Sequence, residues 1–174
     1  QGAQRAELES LAAGLGLADR VRFADLRLDP GQDYLVFDFW KREYVGRFRE
    51  ALDCPPLELG HCQVLSVRPA LDRPQLLSST RHVSQDVISV LSQAWSENTL
   101  TLELEGVCGT SEWYWVHVPA GYELAVVEAD GVEFVTNGAS TDAAGGRAIS
   151  TRVDFPAGAP DRVTGRLRLR FATA

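Results

Sequence analysis

The run Glu112-Trp113-Tyr114-Trp115-Val116-His117-Val118 places two of the chain's four tryptophans and one of its three histidines in a single short stretch. Read as a strand, it puts Trp113, Trp115 and His117 on one face and Tyr114, Val116 and Val118 on the other. Alternate side chains along a strand stand roughly 6.5–7 Å apart, a spacing at which indole rings can line a ligand groove. The apolar face of a sugar ring packs well on indole, so Trp113, Trp115 and His117 are the candidate carbohydrate-binding residues. The competing reading is a central strand buried on both faces, with each indole N–H satisfied locally.

Other chemistry finds little support. His61, His82 and His117 lie far apart, and Cys54, Cys62 and His61 lack a fourth ligand for zinc, so no metal site is expected. No Gly-x-Ser-x-Gly is present, and the glycines are scattered through turns rather than gathered at a strand-to-helix junction. Choosing a hydrolytic pair among 24 acidic residues would be arbitrary. No catalytic residue and no cofactor are therefore expected. Asp38, inside the apolar run ending at Phe39-Trp40, is read as a turn cap or a bond to the neighbouring strand. Arg166, Arg168 and Arg170 form a stripe that would suit an anion, but is better read as a solvated face balanced by acids such as Glu103 or Glu105.

The elements that must position these residues are mostly strands. The chain has 174 residues, enough for one sizeable domain or one and part of another, and too few for a complete (β/α)₈ barrel of about 250. A formal charge of −7 and a pI near 5.0 argue against nucleic acid or anionic lipid as a partner. No apolar run approaches the ~20 residues of a membrane helix, so no membrane association is expected. The absence of methionine suggests a fragment or processed chain, and all but Lys41 of the 17 basic residues are arginine. Three cysteines speak against a disulfide scaffold. Reduced, partly buried thiols and a cytoplasmic setting are expected, with a Cys54–Cys62 bridge as the alternative.

Leu8, Leu11 and Leu15 predict a short N-terminal helix over Arg5 to Leu17, ended by Gly14 and Gly16. Strands are expected at Tyr34 to Trp40, Glu43 to Arg49, Leu57 to Leu59 and Cys62 to Val67. The Pro-punctuated stretch from Arg68 to Pro74 marks a boundary, giving a helix-plus-hairpin unit over 1–70 and a sandwich over 71–174. In the second part, Asp86 to Trp95 reads as a central strand. Thr99 to Glu105 alternates, with Leu100, Leu102 and Leu104 facing inward. Asp130-Gly131 signals a hairpin between Leu124 to Glu128 and Val132 to Thr136. Ile149 to Phe155 and Val163 to Phe171 complete the set, the latter turning Leu167, Leu169 and Phe171 to one face. The fold class is thus all-β, an antiparallel sandwich with a short helix, made of one partial and one complete β unit.

Asp33-Tyr34-Leu35-Val36-Phe37-Asp38-Phe39-Trp40, followed by Tyr44-Val45-Gly46-Arg47-Phe48, resembles the hairpin of the β module that follows the barrel in α-galactosidase-like (melibiase-type) bacterial glycoside hydrolases. Gly60 to Pro69 and Pro74 to Gln85 are similar to its next strand and to the start of an additional C-terminal β domain. The resemblance covers about residues 30–95. It implies a non-catalytic accessory region whose partner is the catalytic barrel of the same polypeptide, with carbohydrate as a candidate ligand. That family's catalytic carboxylates sit on barrel strands, so no catalytic residue carries over to this chain. An independent β-sandwich module that docks another protein is the alternative.

Overall fold

The computed structural model describes residues 28–54, 57–81, 89–141, 145–158 and 161–173, with five positions before them (6, 10, 11, 13 and 14). Those five are helical, but most of the expected Arg5 to Leu17 helix lies outside the described residues, as does His82. Eleven strands are described: β1 Asp33–Asp38, β2 Glu43–Arg49, β3 Leu65–Pro69, β4 Gln75–Ser79, β5 Val90–Ser96, β6 Thr99–Val107, β7 Ser111–Val118, β8 Tyr122–Asp130, β9 Glu133–Thr141, β10 Arg147–Asp154 and β11 Arg162–Thr173. They form three antiparallel sheets, β2-β1-β3, β4-β7-β10-β9 and β5-β6-β11-β8.

The second and third sheets make the sandwich. Leu100, Leu102 and Leu104 of β6 and Leu167, Leu169 and Phe171 of β11 face Tyr114, Val116 and Val118 of β7 and Ile149 and Val153 of β10. Their period-2 alternation is what buries one face of each strand and leaves the other to water. Of the arginine stripe, Arg166 pairs with Glu103 on β6 and Arg170 Nη2 lies 3.6 Å from Glu128 Oε1 on β8, while Arg162 further along β11 lies 2.6 Å from Glu105 Oε1. Gly106 gives room at one end of the core. A Cβ there would stand 2.4 Å from the Phe155 ring, so only hydrogen fits.

The first sheet lies on the opposite face of the second, which makes three layers. Leu35, Phe37 and Tyr44 pack on Leu77, Ala148 and Trp115. The seam is polar at one edge. Strand β4 carries a bulge between Leu76 and Ser78, and a bulged residue is left out of the ladder. The Leu77 carbonyl accepts instead from Ser66 Oγ and Arg68 Nε, both at 2.9 Å, on β3. Gln75 closes the same edge, donating to the Pro69 carbonyl at 3.0 Å and accepting the Leu71 N–H at 2.7 Å.

Several expectations change against this frame. Strand β5 is an edge strand rather than a central one, mostly exposed, and the start of the expected strand lies outside the described residues. Residues 57–64 form no strand. The Asp130-Gly131 turn joins no hairpin: β8 pairs with β11 and β9 with β10, so the turn crosses from one sheet of the sandwich to the other. Gly131 has φ 75, and a Cβ on it would lie 3.0 Å from the Thr164 carbonyl, so the crossing still requires glycine.

Candidate functional site

Strand β7 is internal to the middle sheet, and its two faces meet different neighbours. The Tyr114 face belongs to the sandwich core. Tyr114 donates its hydroxyl to Glu112 Oε2 at 2.9 Å, and Arg81 Nη1 lies 2.9 Å from Glu112 Oε1. Burial pushes the Glu112 carboxyl above its ordinary range, and the Tyr114 and Arg81 bonds only partly oppose it. Burial and the adjacent Glu112 push the Tyr114 phenol upward as well.

The expected carbohydrate face is divided. His117 is 1% exposed, with its ring centroid 5.5 Å from that of Tyr44. Trp115 packs 4.8 Å from Phe37. The first sheet therefore buries His117, which a saccharide could reach only by displacing it, and packs on Trp115, which stays half-buried. Trp113, 6.5 Å from Trp115 and likewise half-buried, comes next along this face, away from His117. Its backbone N–H donates to Thr80 Oγ1 at 2.9 Å, which extends the β4–β7 edge. In register beside it on β10 is Arg152, whose guanidinium is 2.9 Å from Asp154. Of the three residues only His117 is fully buried, while Trp113 and Trp115 are both half-buried.

A second cluster sits at the tip of the first sheet, where the sequence marked Asp38 as a turn cap or a bond to the neighbouring strand. Strand β1 stops at Asp38, and Phe39 to Arg42 turn the chain into β2. Asp38 is buried and caps that turn: Oδ1 accepts the Lys41 N–H and Oδ2 accepts Gln63 Nε2, each at 3.0 Å. Burial alone would raise its carboxyl, but these bonds and the Lys41 charge outweigh it and hold it below the usual range. Above Asp38 opens a cavity of about 380 Å³ walled by Trp40, Leu57, His61 and Gln63. Trp40 is 55% exposed, and Val45, Leu57 and Leu59 are exposed on the same hairpin and its connection to β3. The sequence signal was the Asp-x-Trp pair itself: a polar group two residues before a large ring, at the point where the alternation breaks.

Among the described residues, no cluster of His, Cys, Asp and Glu could hold a metal. Cys54, Cys62 and Cys108 form no disulfide, and Cys54 and Cys62 are exposed rather than partly buried. No helix among the described residues is long and apolar enough to cross a membrane. Comparison with protein-family models, with curated proteins and with solved structures finds no match to this chain.

Proposed function

We propose that the chain is a non-catalytic accessory β-sandwich region of a carbohydrate-active enzyme, a bacterial glycoside hydrolase, and that it holds the catalytic barrel of the same polypeptide. The observation that carries this reading is the apolar tip of the first sheet. Trp40 and Leu57 expose large side chains at a cavity that the ordered Asp38 carboxylate also lines, and Val45 and Leu59 are exposed on the same hairpin and its connection to β3. Clustered exposed apolar surface of this kind marks a contact with another protein body rather than a solvent face. The hairpin that bears it is the same one whose sequence resembles the barrel-following module. Unbridged cysteines support a reducing, cytoplasmic setting. Carbohydrate contact, in this reading, falls to Trp113 alone, since Trp115 and His117 serve the packing between sheets.

The test is the coding sequence upstream of Gln1, followed by the joined protein. A barrel-sized stretch is expected there, and Trp40→Ser with Leu59→Ser should loosen the barrel from this region in limited proteolysis. The chain alone should hydrolyse no aryl glycoside. An unrelated upstream domain would instead favour the independent interaction module, for which the same tip is the docking surface. Hydrolysis by the isolated chain would overturn both readings.

A further inference from the structure

Asn137-Gly138 is the dipeptide of a tight hairpin turn, and the sequence alone reads it as the start of one. The structure instead places both residues inside β9. The strand takes them in with a defect. Asn137 stands opposite Ser150 and Ser140 opposite Ala148, so Gly138 and Ala139 share Ile149 between them. One extra residue on β9 interrupts the ladder there. Strand β9 also ends the middle sheet, bonded to β10 alone among the described strands, and Asn137 is exposed.

An exposed asparagine followed by glycine carries its own reactive pair. The Gly138 backbone nitrogen can attack Asn137 Cγ and close a succinimide ring. The bond from Cγ to the side-chain nitrogen breaks, and ammonia leaves with the proton given up by the Gly138 N–H. Water then opens the ring. Opening at Cγ gives aspartate, and opening at the backbone carbonyl gives isoaspartate, whose main chain runs through the side-chain carbon. The step needs an unshielded nitrogen, which glycine supplies by having no Cβ. It also needs a peptide free to rotate, which a regular ladder forbids and a bulge at a sheet edge relaxes. Asn98, the only other asparagine, meets neither condition. The β-branched Thr99 follows it, paired with Ser96 of β5 on one side and Arg170 of β11 on the other.

We propose that Asn137 is a modification site of the folded protein, deamidating through a succinimide, with water as co-reactant, to aspartate and isoaspartate. The change adds a negative charge to a chain already at −7. It falls on the row Asn137, Ser150 and Trp115, which crosses β9, β10 and β7, so the new carboxylate enters at the edge of the sheet that bears the aromatic face. This site is independent of the reading given under the proposed function.

The 174-residue chain, aged at neutral pH both folded and in concentrated urea, tests the site. Peptide mass spectrometry reads the gain of one mass unit at Asn137. Methyl transfer from S-adenosylmethionine by an isoaspartyl methyltransferase reads the isoaspartate. A reaction that waited for global unfolding would run about a thousandfold or more below the rate in urea, the scale of folding equilibria. Opening at an edge bulge costs far less, so the folded rate is expected within about a hundredfold of the urea rate, with Asn98 intact in the folded chain. Deleting Ala139 keeps the Asn-Gly pair and heals the ladder, and should slow the folded reaction about tenfold or more. Asn137→Ser should abolish the isoaspartate signal. A folded rate below that hundredfold limit, Asn98 reacting as fast as Asn137, or an unchanged rate in the folded deletion variant would each overturn the proposal. If the deletion variant does not fold, the ratio of folded to urea rates in the unsubstituted chain decides.

Discussion

In the sandwich, two full sheets close over Leu100, Leu102, Leu104, Leu167 and Leu169, and its core holds thirteen buried side chains among the described residues. The first sheet has three strands and a cluster of five, two of which, Leu77 and Ala148, belong to the sheet beneath it. A small sheet with so little core of its own depends on the surface it covers. The difference teaches where stability and interaction reside: the sandwich supplies the rigid body, and the first sheet is a layer laid upon it. Trp115 and His117 on the aromatic face of β7 are the cement between them, packed on Phe37 and Tyr44. The exposed apolar tip belongs to the layer, at its far end.

The comparison can be broken first at the sandwich. Phe155→Ala removes the ring that lies over Gly106 and should cost about 4 kcal/mol, the usual scale for an aromatic deleted from a core. Because the first sheet rests on the middle one, unfolding in urea should lose both regions in one transition. Next comes the layer. Leu35→Ala should cost about 3 kcal/mol, but its effect is confined to β1, β2 and β3, producing an early transition before the sandwich unfolds. A single unchanged transition in Leu35→Ala would show that the two regions are not separable in this way.

The smallest effect sharpens the electrostatic side of the same contrast. Glu112, in the sandwich core, has a carboxyl raised above its ordinary value of 4.5, so the folded state holds the proton more tightly than the unfolded chain. Its contribution is therefore most favourable below that value and is lost as pH rises through the raised one. Asp33 and Asp38, in the first sheet, are lowered from 3.8, so what they contribute is present above that value and lost as pH falls through the lowered one. Glu112→Gln keeps an acceptor for Tyr114 and should flatten the decline in stability on the alkaline side of pH 4.5, leaving the acid limb intact. Equilibrium unfolding across that range reads both limbs, and an unaltered decline in the variant would remove Glu112 from the account.

The alternation of Thr99 to Glu105 and of Val163 to Phe171 was readable because each strand has one dry face and one wet one. The same rule named which side chains of β7 share a face, yet it says nothing about what that face meets. Trp115 and His117 look identical in sequence whether a sugar or a second sheet covers them. The turn at Asp130-Gly131 misled for a related reason. Its chemistry fixes a reversal of the chain, while the pairing of β8 with β11 and of β9 with β10 is decided by strands distant in sequence. The cavity beneath Trp40 draws Asp38 from the end of β1 and Gln63 from the irregular connection between β2 and β3, and no periodicity marks such a meeting. Asp38 itself was legible, because a carboxylate in an apolar run has few destinations other than a turn cap or a neighbouring strand.

Hydrogen exchange followed by mass spectrometry, on the unsubstituted chain and on Trp115→Ala, tests the layered account most directly. If Trp115 is cement between sheets, the variant loses amide protection across β1, β2 and β3 while β6 and β11 keep theirs. If β1 to β3 stay as protected as before and Trp115→Ala instead abolishes the quenching of tryptophan fluorescence by an added saccharide, that face is a ligand site and the account is wrong.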